Sequence, residues 1–430
     1  MDPRSDFSGL PRRAFDRSRP YAASLLKWGF WAGVIGVSFG AIGAAFHHCV
    51  DHATHWRTEH PWLMLLLPVA GLIIVKLYEA AGFHEQHPGT NLVLEGGRDA
   101  KPVPLRLAPL IFISTTLTHL CGGSSGREGA ALQLGGSMAS RLGRALGFGD
   151  EDVQTMTRCG MSAVFSALFG TPLTAAVFCI EVTDVGILVD SALLPCLFSA
   201  LAAFWTAGRL GVAPTRLTIA DPGTALMNPV RVLLLALACA LAAELFCWAM
   251  HTAEHLYARF LTHPYRRITV ASLLVLALSG LLHLAGQGWA YNGAGMDVIV
   301  GAVEQGVCPS PFAFLFKILL TALTLAAGFK GGEIVPSFFI GATLGCTLAP
   351  ILGLEPGFAA AVGMVSVFCS VVNCPIASIL LAIELFSYKG AVLFALAVAV
   401  SFVGSGQCSL YAVQRFARPK VQGRVPHDHH

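Results

Sequence analysis

The chain has 430 residues, of which 55% are hydrophobic and only 12% charged, and its mean hydropathy is +0.66. A single water-soluble core cannot shelter that much apolar surface, so most of the chain is expected to lie in lipid. The net charge of +3 is accounted for by basic residues at the two ends and implies no nucleic-acid partner.

The first 23 residues form a basic tail carrying Arg4, Arg12, Arg13, Arg17 and Arg19, with Lys27 just beyond, against Asp2, Asp6 and Asp16. No short apolar core with a small-residue cleavage site lies in this tail, so no cleaved signal peptide is expected. About a dozen apolar segments follow, beginning near Leu25, Trp62, Leu105, Glu128, Met156, Leu188, Val230, Val270, Phe312, Ile334, Phe358 and Ala391. Alternation of polar and apolar residues is absent, so the expected class is an all-α polytopic membrane protein. Segments such as Leu105 to Leu120 and Ile334 to Leu352 are short for a full crossing, as befits tilted or broken helices lining a cavity. After the last segment come Arg415, Arg418, Lys420 and Arg424, and past Phe416 only a polar tail, with no regulatory domain expected. By the positive-inside rule both termini are cytoplasmic and the number of crossings is even.

His47, His48, His52 and His55 cluster early in the chain. His48 and His52 stand one helical turn apart, but no third ligand is compelled, and the His427–His430 tail has a weaker claim still. The twelve cysteines are scattered singly, without a C-x-x-C pair, and read as small core fillers. No metal or other cofactor is expected.

Two carboxylates stand out because each interrupts an apolar, glycine-rich stretch. Glu128 lies in Cys121-Gly-Gly-Ser-Ser-Gly-Arg-Glu-Gly-Ala-Ala131, and Glu333 in Gly328-Phe-Lys-Gly-Gly-Glu-Ile-Val-Pro336. An ionised carboxylate in hydrocarbon costs about 2.5–3.5 kcal/mol on insertion scales, so such a residue marks an ion or proton pathway. The preceding glycines break one helix and start another, whose N-terminus aims unpaired N–H groups and a positive dipole end at whatever sits there. A pathway lined by such ends favours anions. The alternative reading makes Glu128 a structural partner of Arg127, but adjacent helix residues face different ways; Glu333 has Lys330 three residues earlier as an alternative partner.

The chain also repeats itself. Phe165, Pro172, Ile180 and Glu181 recur at identical spacing as Phe368, Pro375, Ile383 and Glu384. Glu128 and Glu333 stand at nearly equivalent distances ahead of the two prolines. The predicted organisation is a tail over 1–23, a first membrane half over 24–216, a second over 217–416 and a C-tail over 417–430. Transporter halves of this kind meet at a midplane site built from broken helices. Glu181 and Glu384 close apolar helices and are expected to bond neighbouring backbone.

These residues resemble the CLC family of anion channels and anion/proton exchangers, over nearly the whole chain from Leu25 to Phe416. Gly126-Arg127-Glu128-Gly129 matches the family's GREG motif, and Tyr411, which alone would pass for an interfacial tyrosine, falls where the family has a corresponding residue. The resemblance implies a homodimer of inverted-repeat subunits, each with its own anion pathway. It makes Glu128 a gating glutamate that occupies an anion site when ionised and swings away when protonated.

The departures from chloride-type members are informative. Their G-S-G-I-P is replaced by Pro88-Gly-Thr-Asn-Leu-Val93, in which Asn91 aligns with the serine only after a one-residue shift. Ala130 follows GREG in place of proline, Gly331-Gly-Glu-Ile-Val-Pro336 carries Glu333 and lacks the aromatic of G-x-F-x-P, and Val182 stands where chloride/proton exchangers carry an internal proton-transfer glutamate. This pattern is similar to the fluoride-exporting branch, whose bacterial members exchange fluoride for protons. The resemblance therefore implies a multi-pass protein of the bacterial inner membrane, with fluoride, protons and lipid as its partners and chloride as the alternative anion. Glu128 and Glu333 become the gating and proton-coupled residues. The expected anion-binding positions are Thr90, Asn91, Gly126, Arg127, Gly129, Ile334, Val335 and Tyr411. Fluoride is small and strongly hydrated, so it needs close donors such as half-helix N–H groups, hydroxyls and a protonated carboxyl.

Two rivals remain. One is a chloride channel or chloride/proton exchanger of the same fold. The other is an intramembrane serine hydrolase, suggested by the G-x-S-G at Gly123–Gly126 and the H-x-x-G at His283–Gly286. Both of those patterns are easily met in a chain with 45 glycines, and they leave Glu128, Glu333 and the repeat unexplained.

Overall fold

The structure, a computed structural model, describes residues 10–83, 89–219 and 229–420, with side chains from Ala22 onward. The expected basic residue Arg4, the tail histidines, Arg424 and Pro88 lie outside the described residues. Among the described residues, sixteen α-helices fall into two series of eight. The first comprises α1 (Leu10–Glu59), α2 (Leu67–Ala80), α3 (Thr90–Asp99), α4 (Leu107–Leu120), α5 (Glu128–Ala145), α6 (Asp150–Phe169), α7 (Pro172–Glu181) and α8 (Leu193–Arg209). The second comprises α9 (Pro229–Phe260), α10 (Pro264–Leu282), α11 (Met296–Glu304), α12 (Ala313–Leu325), α13 (Ile334–Leu352), α14 (Pro356–Val372), α15 (Pro375–Phe386) and α16 (Ala391–Gly404). Several members correspond closely in length: α4 and α12 have 14 and 13 residues, α5 and α13 have 18 and 19, whereas α1 at 50 exceeds α9 at 32.

The sequence repeat has a local cause. α6 ends on Gly170 and α14 on Asn373, both left-handed at φ 70° and 57°, a conformation open to Gly and tolerated by Asn. Two residues later Pro172 and Pro375 start α7 and α15, where a missing N–H costs nothing. Apolar runs that read as single segments are thereby split, and α11, apolar but only nine residues long, went unforeseen because so short a run does not stand out among longer ones. Among the described residues, six helices are long and apolar enough to cross a membrane, including Ile334–Leu352, whose 19 residues match the bounds read from the sequence. The only strands among the described residues are the two-residue β1 (Asp184–Val185) and β2 (Arg415–Phe416), which pair in parallel. Large apolar side chains such as Leu241, Trp205 and Trp248 are exposed, as lipid-facing residues are in a multi-pass membrane protein.

The two halves are inverted and interlocked. Glu181, at the end of α7, accepts the Ile376 and Ala377 N–H groups at 3.0 and 2.8 Å, at the start of α15. Glu384, near the end of α15, accepts the Leu173 and Thr174 N–H groups at 3.0 and 2.8 Å, at the start of α7. Each helix therefore caps the other, which requires the pair to run antiparallel. Both carboxylates sit at a helix N-terminus, where orphan donors and the dipole favour negative charge. Glu384→Ala is expected to leave those two donors unmatched and to destabilise the fold by about 1–3 kcal/mol. Thermal unfolding in detergent checks this; an unchanged midpoint would contradict the reciprocal caps.

Within each half the longest central pair packs through glycine. A Cβ on Gly135 of α5 would lie 2.0 Å from the Gly160 carbonyl of α6, and one on Gly341 of α13 would lie 2.2 Å from the Gly363 carbonyl of α14. Small residues are what let membrane helices approach so closely. The result is that α5 and α13 are rigidly held, with their N-termini pointing at one another.

Candidate functional site

At the junction of the halves the two glycine-rich loops clasp each other. The Gly126 N–H donates to the Gly332 carbonyl at 2.7 Å and the Gly332 N–H to the Gly126 carbonyl at 2.8 Å, an isolated antiparallel bridge. Glu128 and Glu333 follow this bridge by two residues and one residue, so each starts its helix beside it. The contact tolerates no side chain: a Cβ on Gly332 would stand 2.4 Å from the Gly129 nitrogen, and one on Gly331 2.4 Å from the Ser125 side chain. The first N–H groups of α3, α5 and α13, at Thr90, Asn91, Gly129, Ile334 and Val335, have no partner within their own helices.

The bridge separates two cavities. One, of about 450 Å³, is bordered by Glu128, Arg127, His119 and the far end of α1, including Asp51 and Arg57. The other, of about 530 Å³, is bordered by Glu333, Lys330, Thr90, Asn91, Gln133 and Tyr411. Met64, just before α2, lines the first cavity and Phe83, just after it, lines the second, so α2 runs from one cavity to the other.

Glu128 is 1% exposed and folds back on its own helix end. Its Oε2 accepts the Arg127 N–H at 3.0 Å, and its Oε1 lies 3.7 Å from Arg127 Nε. The expectation that Arg127 and Glu128 diverge is thus corrected. Arg127 precedes the helix, at φ −118°, so the divergence of adjacent helical residues does not apply. Gly126 also departs from expectation: its N–H is spent on the bridge to Gly332 and is not free for an anion. The carboxylate of Glu128 occupies the Arg127 N–H itself.

Glu333 behaves differently. Its Oε2 is shut off from solvent and has no hydrogen-bond partner. That oxygen and Thr90 Oγ1 border the same point above Gly129, at 3.0 and 3.4 Å from where a Cβ would be. Lys330 does not pair with Glu333; its ammonium lies 4.6 Å over the Tyr78 ring. Tyr411 is buried at 2% exposure, not interfacial, and its hydroxyl lacks a partner. It is held by Gln414, whose Nε2 donates to Val182 O at 2.9 Å and Val372 O at 2.8 Å, one carbonyl from each half. Thr90 and Asn91 lie inside the first turn of α3, whose N-cap is Gly89, so neither caps the helix by its side chain.

Several residues at the site were not anticipated. Gln133 donates to Thr90 Oγ1 at 3.4 Å, with its own Oε1 buried and unpartnered. Arg57 donates to the His119 carbonyl at 3.3 Å, and His119 Nε2 lies 3.3 Å from the Gly126 carbonyl. Polar residues inside apolar segments were the only available signal. Val182 is fully buried and supplies no titratable group. The unpartnered oxygens of Glu333, Tyr411, Gln133 and Asn91 all line the second cavity. The hydrolase pairing fails on geometry: Ser125 is fully buried, whereas His283 is exposed and stacks on Trp289 at 4.3 Å. His48 Nε2 and His52 Nδ1 both lie against backbone carbonyls, of Leu210 and of His48.

The profile of the voltage-gated chloride channel family matches residues 78–406. The chain belongs to the CLC family. Among its relatives, the chloride/fluoride channel protein of Pseudomonas syringae pv. tomato is 36% identical over 414 residues, which is 95% of this CLC chain and 90% of that protein. A solved CLC-type fluoride/proton antiporter is 33% identical, with a TM-score of 0.86 over 91% of this chain and 98% of the other. A cyanobacterial Cl⁻/H⁺ antiporter, 18% identical with a TM-score of 0.73, covers 88% of this chain and 94% of its own, and shares the fold. This CLC protein is therefore a multi-pass membrane transport protein and not an enzyme.

Proposed function

We propose that this protein exports fluoride in exchange for protons, with Glu128 as the gate and Glu333 as a second proton-carrying group. The observation that carries the reading is the pair of carboxylates beside the Gly126–Gly332 bridge, one facing each cavity. The likeness to a solved CLC-type fluoride/proton antiporter supports it. The halves are taken as 24–216 and 217–416, and two copies form a homodimer in a bacterial inner membrane. With both termini cytoplasmic, the cavity lined by Tyr411 opens inward and the one lined by Arg57 opens outward.

The chemistry follows from the donors. Ionised, Glu128 holds the Arg127 N–H that an anion would otherwise take. Protonation removes its charge and weakens that hold, so the carboxyl leaves and an anion can replace it. Fluoride leaving water then meets the hydroxyls of Thr90 and Tyr411, the Asn91 amide and the N–H groups of Arg127, Gly129, Ile334 and Val335. A protonated Glu333 adds a short, charge-assisted O–H donor to the anion. Two acids close together do not both ionise easily, which couples their protons to the anion between them. Protons moving inward down their gradient drive fluoride out.

The test is uphill transport. In proteoliposomes with equal fluoride on both sides, an imposed proton gradient is expected to move fluoride against the resulting fluoride gradient. If fluoride only ever dissipates its own gradient, exchange is excluded and a channel of the same fold remains.

A further inference from the structure

Lys330 is a buried cation with no anionic partner among the described residues. Its side chain is 7% exposed and borders the inner cavity, three residues before Glu333. Among the described residues, its ammonium has no hydrogen bond or ion pair and lies over the face of Tyr78, at 4.6 Å. The other charges on this cavity have contacts of their own, and Arg267 adds a second positive charge within electrostatic reach of Lys330. Glu95 bonds Lys101 at 2.9 Å, Glu254 stands 3.8 Å from His251, and Arg267 donates to the Ala327 carbonyl at 3.1 Å. Glu333 lies within electrostatic reach of Lys330 without forming an ion pair. A desolvated ammonium on a ring face alone is poorly compensated, so a lysine left in this state signals a counter-ion that comes and goes.

We propose that Lys330 is an anion-docking site on the inner cavity, where a small hard anion is received from the cytoplasm before it passes to Thr90 and Tyr411. This rests on the transport reading above. Ammonium is a compact point charge with three rotatable donors, and its positive charge is what would draw a small hard anion to this position. The loop that carries it is fixed, because Gly331 abuts Ser125 and Gly332 is bridged to Gly126. An anion at Lys330 is thus delivered beside Glu333, at the mouth of the proton-coupled site.

The competing role is structural, with the ammonium merely tying the loop to Tyr78. Full-length wild type, Lys330→Gln and Lys330→Arg are reconstituted, and initial fluoride efflux is measured against internal fluoride. Docking predicts that Gln raises the half-saturating fluoride concentration about tenfold, equivalent to about 1.4 kcal/mol. It also predicts an unchanged fluoride-to-proton ratio, a melting temperature in detergent that is not lowered, and an Arg variant within about threefold of wild type. Unchanged half-saturation in Lys330→Gln overturns the proposal. So does a lowered melting temperature or loss of folded protein in that variant, because both are signs of a structural tie. Should the wild type prefer chloride, the fluoride reading fails separately, and the same comparison run on chloride still decides the docking role.

Discussion

Glu128→Gln is expected to reduce proton flux coupled to fluoride by about a hundredfold or more, the scale on which removing one essential proton-transfer group acts. A glutamine keeps the size and hydrogen-bonding capacity of the side chain but cannot bind and release a proton at neutral pH. It can still rest on the Arg127 N–H, where the carboxylate now lies. Glu333→Gln is expected to have the same effect on coupling, because its buried, unpartnered oxygen has no other source of compensation than a proton or an anion-held donor. Proton movement is followed with a pH-sensitive dye inside vesicles while a fluoride electrode records efflux. Intact coupling in either variant would sink the two-carboxylate account, and intact coupling in Glu333→Gln alone would leave Glu128 as the sole proton carrier.

Gly332→Ala is the second change with a large expected effect. The added methyl would meet the Gly129 nitrogen at 2.4 Å, the Gly129 Cα at 3.0 Å and the Glu128 nitrogen at 3.3 Å. All three are backbone atoms, so nothing flexible can yield and the loops must part. Both bridge hydrogen bonds then lengthen, and the two carboxylates shift relative to the helix ends that surround them. A displacement of about 1 Å in a preorganised site is enough to lose about a hundredfold in rate. The check is fluoride efflux from protein that still elutes as a single folded species. Near-wild-type efflux would show that the bridge is not what sets the site.

How much of this was legible beforehand depends on the range of the interaction. Glu128 and Glu333 declared themselves because a charge within an apolar, glycine-rich run is anomalous on local grounds. The repeat of Phe, Pro and Glu was likewise local, and its cause, a left-handed helix end followed two residues later by proline, recurs at Gly170 and Asn373. Tyr411 was reached only through resemblance. Its burial depends on Gln414 joining carbonyls at residues 182 and 372, which no periodicity reveals. Gln133 and His119 were missed for the same reason, since a polar side chain in a membrane helix does not announce which neighbour it meets. The Gly126 N–H was misassigned because the inter-loop bridge that uses it exists only when the two halves have come together.

The central claim is that two carboxylates at one glycine bridge make the pathway a fluoride/proton exchanger. The most direct test records fluoride, chloride and internal pH together as reconstituted protein empties vesicles loaded with both anions. The account predicts rapid fluoride release with protons moving the opposite way and little chloride release. Chloride release as fast as fluoride release, or fluoride release with no proton movement, would contradict it.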